Sequence, residues 1–152
     1  MKFSAHLGAF VLVLCGAGAT AGLAETPADV ASAWGLLGTW AVNCSQPASR
    51  QNSYLSFVRN GDGLIHRRGF GGDSDEHAVA AVRATADGRI EVVIDLRQFL
   101  QVRTIVFAKE GEGKKRAVSN RDDKGVYSIR DGRFVANGQR APVQSRCATL
   151  TN

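Results

Sequence analysis

The side chains best placed to do chemistry in this chain are two histidines and the acidic turn between them. His66 and His77 flank Asp73, Asp75 and Glu76. Imidazole and carboxylate groups are the ligand types of a zinc or iron centre, which makes His66, Asp73, Asp75 and His77 the candidate ligand set. The same stretch, Gly71-Gly72-Asp73-Ser74-Asp75, is also an ordinary polar hairpin turn, and it lacks the ligand order of a calcium loop. Nucleophilic chemistry has less to offer. No serine lies in a Gly-x-Ser-x-Gly elbow, and the adjacent carboxylates Asp122 and Asp123 fall in a turn, where water keeps them ordinary. The expectation is a protein without catalytic residues, bound metal or cofactor.

The cysteines carry a structural message. Cys15 lies in the first two dozen residues, which have the layout of a cleaved export signal: Lys2 as a positive start, the apolar run 7–15, then the small-residue sites Ala19-Thr20-Ala21 and Gly22-Leu23-Ala24. The apolar run is shorter than the roughly 20 residues of a transmembrane helix. Cleavage after Ala24, with Ala21 as the alternative, leaves a protein exported to the periplasm or beyond. Two cysteines then remain, Cys44 and Cys147, and an even pair in an oxidising compartment reads as one disulfide. It would close a loop of about 100 residues, worth on the order of 4–5 kcal/mol in the chain-entropy treatment.

The remaining elements must position these groups. Residues 25–37 form a short helical lead-in: Thr26 caps it, Pro27 suits its first turn, and it stops at Gly35. Residues 38–152 form one domain. Its glycine turns recur every eight to fifteen residues, among them Asn60-Gly61-Asp62-Gly63, Asp87-Gly88 and Asp131-Gly132. Between them lie runs of strand length, read at 38–46, 53–60, 63–70, 76–86, 89–97, 100–109, 114–121, 125–130 and 133–146. Evenly spaced short strands point to an all-β fold, a small antiparallel up-and-down barrel of about eight strands. The alternation of Ile90, Val92, Ile94 and Leu96 is the clearest. The strand at 100–109 is apolar on both faces and reads as covered on both sides. With Cys44 in the first strand and Cys147 ending the last, a bond between them makes those strands neighbours, the condition for closure.

Charge excludes little. The formal net charge of +5 is mild and scattered, and Lys114-Lys115-Arg116 and Arg67-Arg68 read as solvated turn and strand faces. Tyr54, Phe57, Arg59, His66, Arg68 and Phe70 come nearest to an oligonucleotide-binding face, but export argues against nucleic acid as a partner. Phe57, Phe70, Phe99, Phe107 and Phe134 read as core.

Residues Trp34-Gly35-Leu36-Leu37-Gly38-Thr39-Trp40 place a Gly-x-Trp at the head of the first strand. This resembles the opening of lipocalins and related calycin barrels. The resemblance implies that Trp40 plugs the closed end of the barrel under an arginine, either Arg133 or Arg146. It implies, too, an interior that can hold a small molecule, although the short turns leave little room for a long lid over the mouth. The stretch from Gly38 to Cys147 is also similar to small exported proteins of α-proteobacteria, through Gly-Thr-Trp, Asp131-Gly132-Arg133-Phe134 and the closing Arg146-Cys147. No activity comes with that likeness.

The function expected from the sequence is non-covalent binding in the cell envelope by a monomer without a transmembrane segment. The ligand is a small apolar or amphipathic molecule held inside the barrel, with Phe57, Phe70, Val92, Ile94 and Phe107 as candidate cavity residues. The alternative is an envelope protein as partner. The chain would then act as a protease-inhibitor-like barrel whose segment 25–33 enters a cleft, or as the accessory subunit of a complex.

Overall fold

The computed structural model describes residues 25–148. The segment read as an export signal, residues 1–24, lies outside the described residues. The described chain is a short helix followed by an antiparallel β-barrel closed by eight strands.

Helix α1 spans Pro27–Trp34. Thr26 caps it, its hydroxyl oxygen accepting from the Asp29 amide at 3.2 Å, and Gly35 ends it in the left-handed region at φ 88°. Ala28, Ala31 and Trp34 are its buried face and pack the helix against β3 and β4 at one end of the barrel. Asp29 pairs with Arg59 at 2.8 Å, and the Trp34 indole donates to Gly88 O at 2.8 Å.

The strands are β1 (Gly38–Ala41), β2 (Tyr54–Asn60), β3 (Gly63–Gly69), β4 (Ser74–Ala84), β5 (Ile90–Leu96), β6 (Gln101–Lys109), β7 (Lys114–Asp122), β8 (Tyr127–Arg130), β9 (Arg133–Phe134) and β10 (Val143–Cys147). Consecutive strands from β1 to β7 pair as a meander. β10 closes the ring by pairing with both ends of it: Trp40 lies opposite Arg146, and Lys115 opposite Gln144. β7 changes partner along its length. Its first residues face β10, whereas Asn120 and Arg121 pair with β8. The β8–β9 hairpin fills the wedge this opens and turns Ile129 and Phe134 inward. The stretch read as one strand over 133–146 is therefore two short pieces, β9 and β10, separated by the return from that hairpin.

Residues 74–84 form a strand, and a bulge between Val79 and Ala81 keeps the apolar Val79 and Val82 on the inner face despite the intervening alanines. β5 alternates strictly, with Ile90, Val92, Ile94 and Leu96 buried. The expectation that the strand at 100–109 is covered on both faces fails. Residues 101–106 are all half-buried, because the inner face of β6 lines a hollow and its outer face meets water. Phe99 also leaves the core: it is 56% exposed, on the 3-10 turn Arg97–Phe99 between β5 and β6.

Cys44 and Cys147 form a disulfide with Cα atoms 5.3 Å apart. The first and last strands are neighbours as expected, but Cys44 is not in the first strand. β1 ends at Ala41, and the chain curls back outside the barrel to bring Cys44 to β10. The bond thus staples the root of the β1–β2 connection to the closing strand. Cys44→Ala should lower stability by about 2–5 kcal/mol, read as a shift in the urea midpoint at constant slope. An unchanged midpoint would mean that the bond stabilises nothing.

Candidate functional site

Alternation along each strand divides the barrel interior into a filled half and a hollow half. On β6 the inward side chains run Gln101, Arg103, Ile105 and Phe107 from the mouth to the floor.

The floor is built around Trp40, which is 2% exposed and donates from its indole to Leu36 O at 2.8 Å. The Arg146 guanidinium stacks over the ring at 4.9 Å and also donates to Gly35 O. Of the two arginines left open by sequence, Arg146 is the one on Trp40. Arg133 is instead an exposed residue of the β8–β9 hairpin bonded to Gly138 O at 2.8 Å, because the chain leaves the barrel wall there. Phe57 and Phe107 complete the floor, edge to face at 6.0 Å between centroids.

Into this aromatic shell projects Lys115, read from sequence as solvated but 0% exposed. Its ammonium lies 3.9 Å from the Phe107 centroid, 5.0 Å from Trp40 and 5.5 Å from Phe57, and donates to Gln144 Oε1 at 2.6 Å. Burial pushes its pKa well below the usual lysine value. The ring faces and the amide oxygen work against that loss of hydration and favour the cation.

Above the floor the barrel holds a cavity of about 860 Å3. Leu55, Ile94, Ile105 and Phe134 line its apolar wall, and Val42, Phe70, Phe99 and Pro142 stand nearer the mouth. A side chamber of about 170 Å3 continues toward Ile129 under the β8–β9 hairpin. Among the cavity candidates named from sequence, Phe70 and Ile94 line the hollow and Phe107 lines its side chamber, while Phe57 and Val92 are buried in the packing below. The polar lining includes Gln101, Asn120, Gln144 and three arginines, Arg50, Arg68 and Arg103. Sequence reasoning singled out neither Arg103 nor Gln144. The regular spacing of Gln101, Arg103 and Ile105 on one strand face was the available signal.

The connection between β1 and β2, residues 42–53, is longer than the turns expected from sequence, and it borders the mouth through Val42, Arg50 and Gln51. Asn52, 5% exposed, ties it together. Its side-chain oxygen accepts from the Asn43 amide, and its NH2 donates to the carbonyls of Asn43, Gln46 and Pro47. Tyr54 donates to Gln46 O at 2.7 Å. Such internal satisfaction of backbone groups gives a compact loop a defined shape.

His66 and His77 lie directly opposite each other on β3 and β4, both buried. His66 stacks on Phe57 at 4.6 Å and borders the cavity, and its Nδ1 has no partner. Asp75 receives a two-pronged pair from Arg68 and sits 3.2 Å from His77 Nε2, outside hydrogen-bonding geometry for that nitrogen. Arg68 holds the Asp75 carboxyl below its ordinary value. Asp73 is an exposed turn residue. Among the described residues, no group of three potential ligands converges on a metal position, since Arg68 takes the one carboxylate near the histidines.

Compared with protein-family models, curated proteins and solved structures, the chain matches none of them. Among the described residues, no helix is long and apolar enough to cross a membrane.

Burial pushes the His66 pKa from its ordinary 6.5 down to about 3. The unfolded chain therefore binds a proton that the folded chain refuses across that interval, and stability falls as pH drops from 6.5 toward 3. Between pH 7 and pH 4.5 the loss should be about 2–3 kcal/mol. Asp75, whose pKa is lowered from 3.8, adds its own loss only at lower pH. Urea unfolding of His66→Gln should show a flatter pH dependence over the same interval. An unchanged slope would show that His66 is not the group refusing the proton.

Proposed function

We propose that this protein is an exported, lipocalin-like binding protein that holds a small apolar or amphipathic molecule non-covalently inside its barrel. The observation that carries the reading is the division of the interior. A barrel of eight strands can be filled by its own side chains, but here the filling stops at Trp40, Phe57, Lys115 and Phe107, with about 860 Å3 above them. That volume lies within the range of sites for small organic molecules, and the mixture of apolar wall with a few amides and guanidinium groups is what such sites use. The Gly-x-Trp opening with Arg146 over Trp40 supports the lipocalin likeness. A disulfide supports residence outside a reducing compartment.

The protein-directed alternative has less support. A segment that enters a protease cleft must be free to do so, whereas Ala28, Ala31 and Trp34 of α1 are buried against the barrel.

Filling the hollow tests the proposal. Ile105 lines both the main cavity and its side chamber. Ile105→Trp should weaken binding of an apolar fluorescent probe by about tenfold or more while leaving the far-ultraviolet spectrum unchanged, a loss of about 1.4 kcal/mol in binding. Equal probe affinity in the folded variant would place binding elsewhere.

A further inference from the structure

We infer that the cavity takes an amphipathic anion, a carboxylate-headed molecule that enters tail first and leaves its head group on Arg103. This rests on the reading of the cavity as a ligand site and adds the charge and orientation of the ligand.

Arg103 projects inward from β6 one step below the mouth, between Gln101 and Ile105. It is half-buried, and its partners are all neutral. Its Nε donates to Gln101 Oε1 at 2.8 Å, and one terminal nitrogen donates to Asn120 Oδ1 at 3.3 Å and Ser128 Oγ at 3.2 Å. The carboxylate nearest in register is Asp122, its cross-strand neighbour. Asp122 does not pair with it: its Oδ1 accepts from the amides of Lys124 and Val126 at 3.0 and 2.8 Å, closing the turn after β7. Arg68, the other half-buried arginine of the lining, is taken by Asp75. Arg50, at the mouth, is exposed and forms no ion pair among the described residues. Below Arg103 the lining becomes apolar through Leu55, Ile94, Ile105 and Phe134. His66 is neutral at physiological pH and adds no charge.

Occupancy makes this charge pattern selective. A molecule filling the cavity strips water from Arg103. A neutral occupant leaves the guanidinium dehydrated among neutral partners, which costs free energy. A cation adds repulsion. A carboxylate meets the free edge of the guanidinium with charge-assisted hydrogen bonds, and its chain covers the apolar wall below.

The test is calorimetric titration of the disulfide-bonded protein, below micelle-forming concentrations, with laurate, lauryl alcohol and lauryltrimethylammonium, three ligands with one tail and different heads. Laurate should bind about tenfold more tightly than the alcohol, a difference of about 1.4 kcal/mol, and the ammonium more weakly than either. Arg103→Met should remove the preference for laurate without weakening alcohol binding, and Arg103→Lys, which keeps the charge, should retain most of it. Equal binding of laurate and alcohol, or a laurate preference that survives Arg103→Met, overturns the anion inference while leaving the cavity as a binding site. If none of the three binds, the cavity reading falls and the inference falls with it.

Discussion

Everything in this fold depends on β10 pairing on both of its edges. Five residues, Val143–Cys147, hydrogen-bond to β1 on one side and to the start of β7 on the other. A seven-strand meander without them would leave β1 and the start of β7 as unpaired edges, each a template for aggregation. The same short strand sets the interior. Its inward residues are Gln144, which receives the Lys115 proton donor, and Arg146, which covers Trp40. Its outward Cys147 holds the returning loop through Cys44. Because β10 is short, β7 outruns it, and the β8–β9 hairpin must close the remaining wedge with Ile129 and Phe134.

Lys115 marks where the filled half of the barrel ends. A buried ammonium without a carboxylate would ordinarily be strongly unfavourable. Here three aromatic faces and one amide oxygen surround it and offset part of that cost. The amine, Trp40, Phe57 and Phe107 thus form one packed layer, with Arg146 sealing it from outside. Above that layer the side chains stand along the wall and leave a hollow between them. β6 presents Ile105, Arg103 and Gln101 to it, and the loop 42–53, held by Asn52, borders its mouth. A packed lower half and a lined upper half are the arrangement on which the proposed binding role rests.

Much of this architecture was legible in the chain. The alternation of Ile90 to Leu96 gave a half-buried strand and its inner face, and Thr26, Pro27 and Gly35 bounded the helix almost to the residue. The cysteine pair was legible from number and compartment. Its position was not, because the chain turns out of β1 at Val42, where nothing in the composition breaks an apolar strand pattern. Lys115 was illegible for a different reason: in Lys114-Lys115-Arg116 three cations in a row suggest solvent, and only the register of β7 against β10 turns the middle one inward. Arg133 and Arg146 both follow strand-like context, and the departure of the β8–β9 hairpin from the wall decides between them. Only part of the cavity lining, Phe70 and Ile94 among it, was read from sequence, since hollowness is a property of what is missing between strands rather than of any residue.

Amide hydrogen exchange of β10 tests closure most directly. Local openings expose amides in proportion to how easily a segment leaves the fold. With both edges paired, the ladder amides within 143–147 should be protected to a degree comparable with those of β5, the strand that buries four apolar side chains in strict alternation. If β10 amides instead exchange as fast as those of the exposed turn at 123–126 while β5 stays protected, the barrel is open at this seam and the account of its interior fails.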